Sequence, residues 1–321
     1  MTKFRWLGII MCIGLLAFAL TGCGGGSGEG DSGGSESVIE NWVFAADHEF
    51  SVRPDGLPKL EEVYGFQFDE VKVMDLGVTY GALKEGQVAA AMGFATDGRI
   101  GAFDLVNLED DKKFFPVYNP APVVRKEIID EYPEIEDILA PIADKLDTDT
   151  MISLNGKVDV DGMAPKEAAE AFLNDNDLLG EPASESKGKI VVGSKEFTEQ
   201  LILGQITIMA LENAGFEVED STGLGGTEVA RKALENGEID LYWEYTGTGW
   251  LVALQHEDAI TDSDEAYQKV KEEDLAKNNL VWLPYAPFNN TYTIMMRKAD
   301  AEALDITSIS DLAGVINEEA H

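Results

Sequence analysis

An α/β fold is predicted by two stretches that repeat one local order and by a globular composition. In the first stretch, residues 227–235 place Val229, Ala230, Ala233 and Leu234 at helical spacing, and Asn236-Gly237 supplies the left-handed stop that a helix C-terminus favours. The following residues, Glu238-Ile239-Asp240-Leu241-Tyr242-Trp243-Glu244-Tyr245, read as a buried strand running on into Thr246-Gly247-Thr248. Residues 79–97 repeat the arrangement: a short helix, a turn at Gly86, an apolar strand, then Phe94 with Thr96 two positions on. A length of 321 residues leaves room for two ordinary domains, and 45% hydrophobic with 9% aromatic content is globular. Ligands of open α/β sheets bind beyond the carboxyl ends of strands, so Tyr245, Thr246 and Thr248 stand at a candidate site. Two such units facing each other across a cleft would each contribute an aromatic wall. The plain alternative is that Tyr245 and Phe94 are ordinary core rings.

In chain order, Lys3 and Arg5 precede an apolar run, residues 6–20, that ends in Leu20-Thr21-Gly22-Cys23. A basic start, a short apolar core and small residues before the cut predict a secretory signal over 1–22, too short for a spanning helix. The cysteine at its end resembles the bacterial lipobox, which would make Cys23 a lipidated first residue. Cys12 leaves with the signal, so a mature chain could form no internal disulfide. Residues 23–41, rich in Gly, Ser, Glu and Asp, form a flexible tether.

The folded part is expected to open with a strand at 42–46, a polar turn at 47–56, a helix at 60–64 and a strand at 71–74. After the 79–97 unit come a strand at 103–108 and an extended segment, 114–122, where Pro116, Pro120 and Pro122 forbid helix. Residues 127–132, 135–143, 148–155 and 164–174 have helical period, and 180–188 is a polar linker. A strand at 189–193 leads to a long helix ending at Gly215, then a strand at 216–218. Beyond the 227–248 unit lie an acidic helix at 265–277, strands at 280–283 and 293–297, and a helix at 310–316.

The charge balance of 24 basic against 60 acidic residues excludes nucleic acid as a natural partner and predicts a heavily solvated acidic surface, tolerable at high salt. The carboxylates are spread along the whole chain rather than gathered in one site. His48, His256 and His321 are too scattered for a metal centre, and no Gly-x-Ser-x-Gly elbow is present. His48 between Asp47 and Glu49 belongs to the turn. Gly223-Leu224-Gly225-Gly226-Thr227 lacks the G-x-G-x-x-G register and a P-loop lysine, and reads as a glycine turn capped by Thr227. No metal, cofactor or catalytic residue is expected.

Several motifs together resemble the osmoprotectant-binding proteins of ABC importers, the glycine betaine/carnitine/choline-binding family. They are Gly193-Ser194-Lys195-Glu196-Phe197-Thr198-Glu199-Gln200, Glu244-Tyr245-Thr246-Gly247-Thr248, Pro287-Phe288-Asn289-Asn290-Thr291-Tyr292 and Phe44-Ala45-Ala46-Asp47-His48-Glu49-Phe50. Met92-Gly93-Phe94-Ala95-Thr96-Asp97-Gly98-Arg99 and Tyr118-Asn119-Pro120-Ala121-Pro122-Val123-Val124 belong to the same pattern. The resemblance covers nearly all of 43–313, with one departure. Residues 42 to about 180 resemble the family's C-terminal half and 189 to about 318 its N-terminal half, so the chain is similar to a circularly permuted member. An incomplete tandem, or two chains exchanging halves, would give the same order.

The resemblance implies a two-lobed, periplasmic-binding-protein-like (type II) α/β fold, each lobe a mixed sheet flanked by helices, with the ligand between them. Lobe B would hold 42–111 and 293–318, lobe A 112–180 and 189–291, and residues 181–188 would join the family's usual termini. It further implies an aromatic cage of Tyr245, Tyr292, Tyr118 and Phe94, where relatives commonly carry Tyr in place of Phe94. Such a cage suits a quaternary ammonium, which has no N–H to donate and is held by ring faces. Lys195, Arg53 and Thr248 match positions that bind a carboxylate, and Asn290 a polar contact near the ammonium. Choline would leave both cations unpaired in a closed cleft, so glycine betaine, proline betaine or carnitine is the expected ligand. The implied role is a lipid-anchored extracytoplasmic receptor serving an ABC permease and ATPase. A choline receptor and an osmolyte sensor using the same cleft are the alternatives; an enzyme acting on quaternary amines would need a nucleophile, metal set or redox motif that the sequence lacks.

Overall fold

The computed structural model describes residue 39 and residues 41–319; the signal segment, Cys23 and nearly all of the tether lie outside them. Among the described residues the strands are β1 (Val43–Ala46), β2 (Glu70–Val73), β3 (Ala90–Phe94), β4 (Leu105–Asn107), β5 (Pro120–Arg125), β6 (Lys189–Gly193), β7 (Glu217–Ser221), β8 (Leu241–Tyr245), β9 (Leu280–Trp282) and β10 (Tyr292–Arg297). They form two five-stranded mixed sheets, in the orders β2-β1-β3-β10-β4 and β7-β6-β8-β5-β9.

The two orders are the same pattern. In each, three strands that follow each other in sequence pair in parallel, and a strand from the other part of the chain lies antiparallel beside the third. The chain leaves the first sheet after β4 and enters the second at β5; it leaves the second after β9 and re-enters the first at β10. Two crossing segments, 108–119 and 283–291, therefore join the halves.

Local chemistry explains the elements. The helix Thr227–Glu235 forms where its periodicity predicts, with Ala230, Ala233 and Leu234 buried; Val229, read onto the same apolar face, is instead exposed, and Gly237 sits at φ +74°, a left-handed position open to glycine. The helix Thr198–Asn213 buries Ile202, Leu203, Ile206, Ile208, Ala210 and Leu211 on several faces, because it lies between the second sheet and the helices Glu134–Ala143, Thr148–Asp159 and Pro165–Asp175. The central strand β8 is buried throughout, whereas β2, at an edge, is exposed throughout.

Four short helices depart from the sequence reading. Residues 47–56 are not merely a polar turn: Asp47 caps the helix His48–Val52, its side chain accepting from the Phe50 N–H at 2.7 Å. Helical turns also form at Arg99–Ala102, at Lys298–Ala303, and from Thr246 onward, where Gly249–Ala253 widens into a π-helical turn. Each is too short to carry an apolar period. Thr227 is not the cap of its helix either; Gly226 holds that place and Thr227 is the first helical residue, which frees its hydroxyl for other partners.

Candidate functional site

The aromatic residues singled out from sequence all sit where a strand begins or ends. Tyr245 closes β8, Phe94 closes β3, Tyr292 opens β10, and Tyr118 lies two residues before β5. Pairing brings them together. Tyr292 and Phe94 are directly opposed across the β10–β3 ladder, with ring centroids 5.2 Å apart, and Tyr245 is opposed to Pro120 across β8–β5. Tyr118 meets Tyr292 edge-on at 5.4 Å. Phe197, just before the long helix, links the remaining ring: it is 5.1 Å from Phe94 and 6.2 Å from Tyr245. Phe50 and Phe115 also pack on Tyr292, at 5.0 and 6.0 Å. The four predicted rings therefore belong to one continuous aromatic cluster fed by both sheets. Burial drives the hydroxyl pKa of Tyr118, Tyr245 and Tyr292 well above the usual phenol range.

The predicted anion-binding residues also converge. Lys195 Nζ donates to Thr227 Oγ1 at 3.0 Å, Arg53 Nη1 lies 3.5 Å from the same oxygen, and Arg53 Nη2 lies 3.3 Å from Thr248 Oγ1. Both cations border the cluster, Arg53 Cζ 5.4 Å from the Tyr292 centroid and Lys195 Nζ 5.3 Å from that of Tyr245. Arg53, Lys195 and Thr248 are all buried.

One expectation is corrected here. A ligand without a carboxylate would not leave the cations unpaired, because each already has a protein carboxylate. Arg53 Nε and Nη2 grip Asp55 Oδ1 and Oδ2 at 2.8 and 2.7 Å, and Lys195 Nζ meets Glu244 Oε1 at 2.7 Å. Burial works against an ionised Asp55, yet the guanidinium holds its carboxyl below the usual range. Asp55 Oδ2 also accepts from the Tyr118 hydroxyl at 2.6 Å. Among the described residues, the donors left over after these pairings are Arg53 Nη1, the third hydrogen of Lys195 and the hydroxyl of Thr248, while the Thr227 hydroxyl donates to Glu49 Oε2 at 3.0 Å.

Asn290 is 5% exposed; its Nδ2 donates to Glu199 Oε1 at 2.9 Å, and its Oδ1 has no hydrogen-bond partner among the described residues. Sequence reasoning passed over Thr227, Asp55, Glu244, Phe197 and Glu199. Phe197 and Glu199 lie inside the quoted Lys195 motif, Glu244 inside the Tyr245 motif, and Asp55 two residues beyond Arg53, so proximity in sequence was the available signal.

Direct bonds tie the two halves around this cluster. Glu49 accepts from the Thr227 N–H at 2.6 Å and meets its hydroxyl at 3.0 Å, Thr96 Oγ1 donates to Glu199 at 2.6 Å, Asn155 Nδ2 donates to the Thr96 carbonyl at 3.0 Å, and Arg99 lies 3.3 Å from Asp159.

A two-sheet α/β body whose halves meet over aromatic rings and a cation pair has the form of a ligand-binding protein. The chain belongs to the family described as the substrate binding domain of the ABC-type glycine betaine transport system, which matches residues 33–175 and 188–320. It is 44% identical to a glycine-betaine-binding protein of Pseudomonas aeruginosa over 139 residues, 43% of this chain and 45% of that one. With the glycine betaine-binding protein YehZ of Escherichia coli it shares 41% over 130 residues, 40% of this chain and 43% of that one. A solved structure described as a glycine betaine/carnitine/choline ABC transporter is 32% identical, with a TM-score of 0.34, over 43% of this chain and 50% of that one. These alignments thus span about half, or less, of the relatives' length.

Proposed function

We propose that the protein is an extracytoplasmic receptor that captures a betaine, namely glycine betaine, proline betaine or carnitine, and delivers it to an ABC permease and its ATPase. The observation that carries this reading is the convergence of Tyr118, Tyr245, Tyr292 and Phe94 beside Arg53, Lys195 and Thr248, since a betaine has a methylated cation at one end and a carboxylate at the other. The rings would take the trimethylammonium by cation–π attraction, worth about 2 kcal/mol or more when desolvated. The leftover donors of Arg53, Lys195 and Thr248 would take the carboxylate, and Asn290 Oδ1 would face the positive end.

Closure of one half on the other would expel water and join both ends of the site, with segments 108–119 and 283–291 as the hinge. Residues 42–111 and 293–318 would move as lobe B, and 112–180 with 189–291 as lobe A. Cys23, once lipidated, would hold this body to the membrane through the 23–41 tether. We read the order of the chain as a circular permutation. Its support is that Asn41, Trp42, Ile316 and Asn317 line one cavity, so the ends of the folded body adjoin, while residues 183–187 bridge the turn that follows the long helix. Calorimetric titration with glycine betaine, carnitine and choline tests the reading: the two carboxylates should bind, and Tyr245→Ala or Tyr292→Ala should abolish binding. Absence of heat with every betaine would refute it.

A further inference from the structure

Among the buried acids, Glu199 stands apart. Asp55, Asp97, Asp240, Glu244, Asp274 and Asp300, the other buried acids of the described residues, each pair with an arginine or lysine. Glu199, 2% exposed, is bonded among the described residues only by neutral groups. Its Oε1 accepts from the Tyr245 hydroxyl at 2.7 Å and Asn290 Nδ2 at 2.9 Å; its Oε2 accepts from Thr96 Oγ1 at 2.6 Å and Asn155 Nδ2 at 3.1 Å. All four partners can donate at once, which fills the lone-pair sites of an ionised carboxylate; a carboxyl proton would find an acceptor only if the Tyr245 or Thr96 hydroxyl gave up its own donation. The start of the helix Thr198–Asn213 also favours a negative group. These dipoles make the charge tolerable but add no positive charge, and a buried charge without a counter-charge is expensive to keep.

We propose that Glu199 is a positioning, specificity-determining residue whose counter-charge is the ligand's own ammonium, felt through the Tyr245 hydroxyl and ring. A phenol that donates to a carboxylate shifts electron density into its ring, and a more negative face attracts a methylated cation more strongly. The ammonium has no N–H with which to bond Glu199 itself, so the charge acts through the ring and through the field of a low-dielectric cleft. The inference rests on the reading of the cleft as a betaine site. It predicts that Glu199 separates ligands by charge at constant shape.

The test compares glycine betaine with 3,3-dimethylbutanoate, which carries a trimethylated carbon in place of the nitrogen and the same carboxylate, on the wild type and on Glu199→Gln. The substitution is isosteric, and Asn155 Oδ1, which has no hydrogen-bond partner among the described residues, can turn to accept the new amide. Betaine should weaken about tenfold, the loss expected for one strengthened cation–π contact, while the neutral-headed acid holds or tightens. A preserved ratio of the two affinities would overturn the proposal and leave Glu199 a structural residue. Tyr245→Phe, which keeps the ring and cuts its bond to Glu199, gives the same readout should Glu199→Gln fail to fold: the ratio should fall, and its constancy would equally overturn the role. A wild type that binds no betaine would remove the parent reading itself, a different result from an unchanged ratio.

Discussion

Removing the Arg53 guanidinium should separate betaine from choline, and the geometry shows how to do it cleanly. Nε and Nη2 are committed to Asp55, whereas among the described residues Nη1 has only a 3.5 Å contact to Thr227 Oγ1 and a 3.6 Å contact to Glu49 Oε2. Nη1 is thus the nitrogen with capacity for a ligand carboxylate. A hydrogen bond to a charged group is worth about 1.5–3 kcal/mol, so Arg53→Ala should weaken betaine by roughly 10- to 150-fold. The single variant also strands Asp55, which is 3% exposed and would keep only the Tyr118 hydroxyl among its side-chain partners. Its loss of affinity would mix two effects. Arg53→Ala with Asp55→Asn removes the cation without leaving an unpaired buried carboxylate, and the pair should be read as one coupled unit. Calorimetry on the double variant should give the full betaine loss with choline changed by less than about threefold, since choline has no carboxylate to lose a charge-assisted bond. Equal losses for the two ligands would refute the assignment of Arg53 to the carboxylate.

Three further outcomes are expected. Burial raises the Glu199 carboxyl above its ordinary value of 4.5, with Tyr245 the only titratable group among its hydrogen-bond partners in the described residues; a raised folded-state pKa means a stability contribution present below the unfolded value and lost as pH rises through the folded one. Ligand-free Glu199→Gln should therefore melt above the wild type at neutral pH, with the gap closing as pH falls toward 4.5; a constant gap would count against an ionised Glu199. At Gly98 a Cβ would meet the Gly156 Cα at 2.5 Å and N at 2.7 Å, backbone atoms of the other half that cannot step aside; Gly98→Ala should cost about 1–3 kcal/mol of closure and weaken betaine roughly 5- to 150-fold, with unchanged affinity refuting the contact's role. A chain reordered to run 188–319 and then 41–180 should fold and bind with affinity within about threefold of the parent, because the joined ends adjoin and the new cut falls in a polar linker; an unfolded product would refute the permutation.

Period and punctuation made most of the fold legible. Apolar spacing and a glycine stop fix the helix at 227–235 and the strand at 189–193 to the residue. The short helices at His48–Val52 and Lys298–Ala303 are not fixed in this way, because five or six residues cannot display a 3.6-residue period and only the Asp47 cap marks the first. At the site, Tyr245, Tyr292, Tyr118, Phe94, Arg53, Lys195 and Thr248 were named by motif, and the structure gathers them. The acids that accompany them were not. A carboxylate among 60 acidic residues carries no pattern that tells a buried one from a solvated one; only the fold reveals that Asp55, Glu244 and Glu199 face inward. The pairing of the two cations with protein carboxylates, and with it the failure of the unpaired-charge argument against choline, was invisible for that reason.

The position of the rings follows from the sheet topology more than from any local preference. Each sheet accepts one strand from the other part of the chain, and those strands, β5 and β10, are reached through the crossing segments. Tyr118 sits just before the first and Tyr292 opens the second, so both rings lie where the backbone passes from one half to the other. Tyr245 and Phe94 end the very strands, β8 and β3, against which β5 and β10 pair. One rule thus places all four: the crossing strand and its antiparallel neighbour each bring a ring to the same end of the sheet. Reordering the chain leaves that rule untouched, because neither crossing segment contains the 181–188 linker nor the ends near 41 and 319. A cage built at the crossings survives permutation, whereas one built from 181–188 would be severed by it.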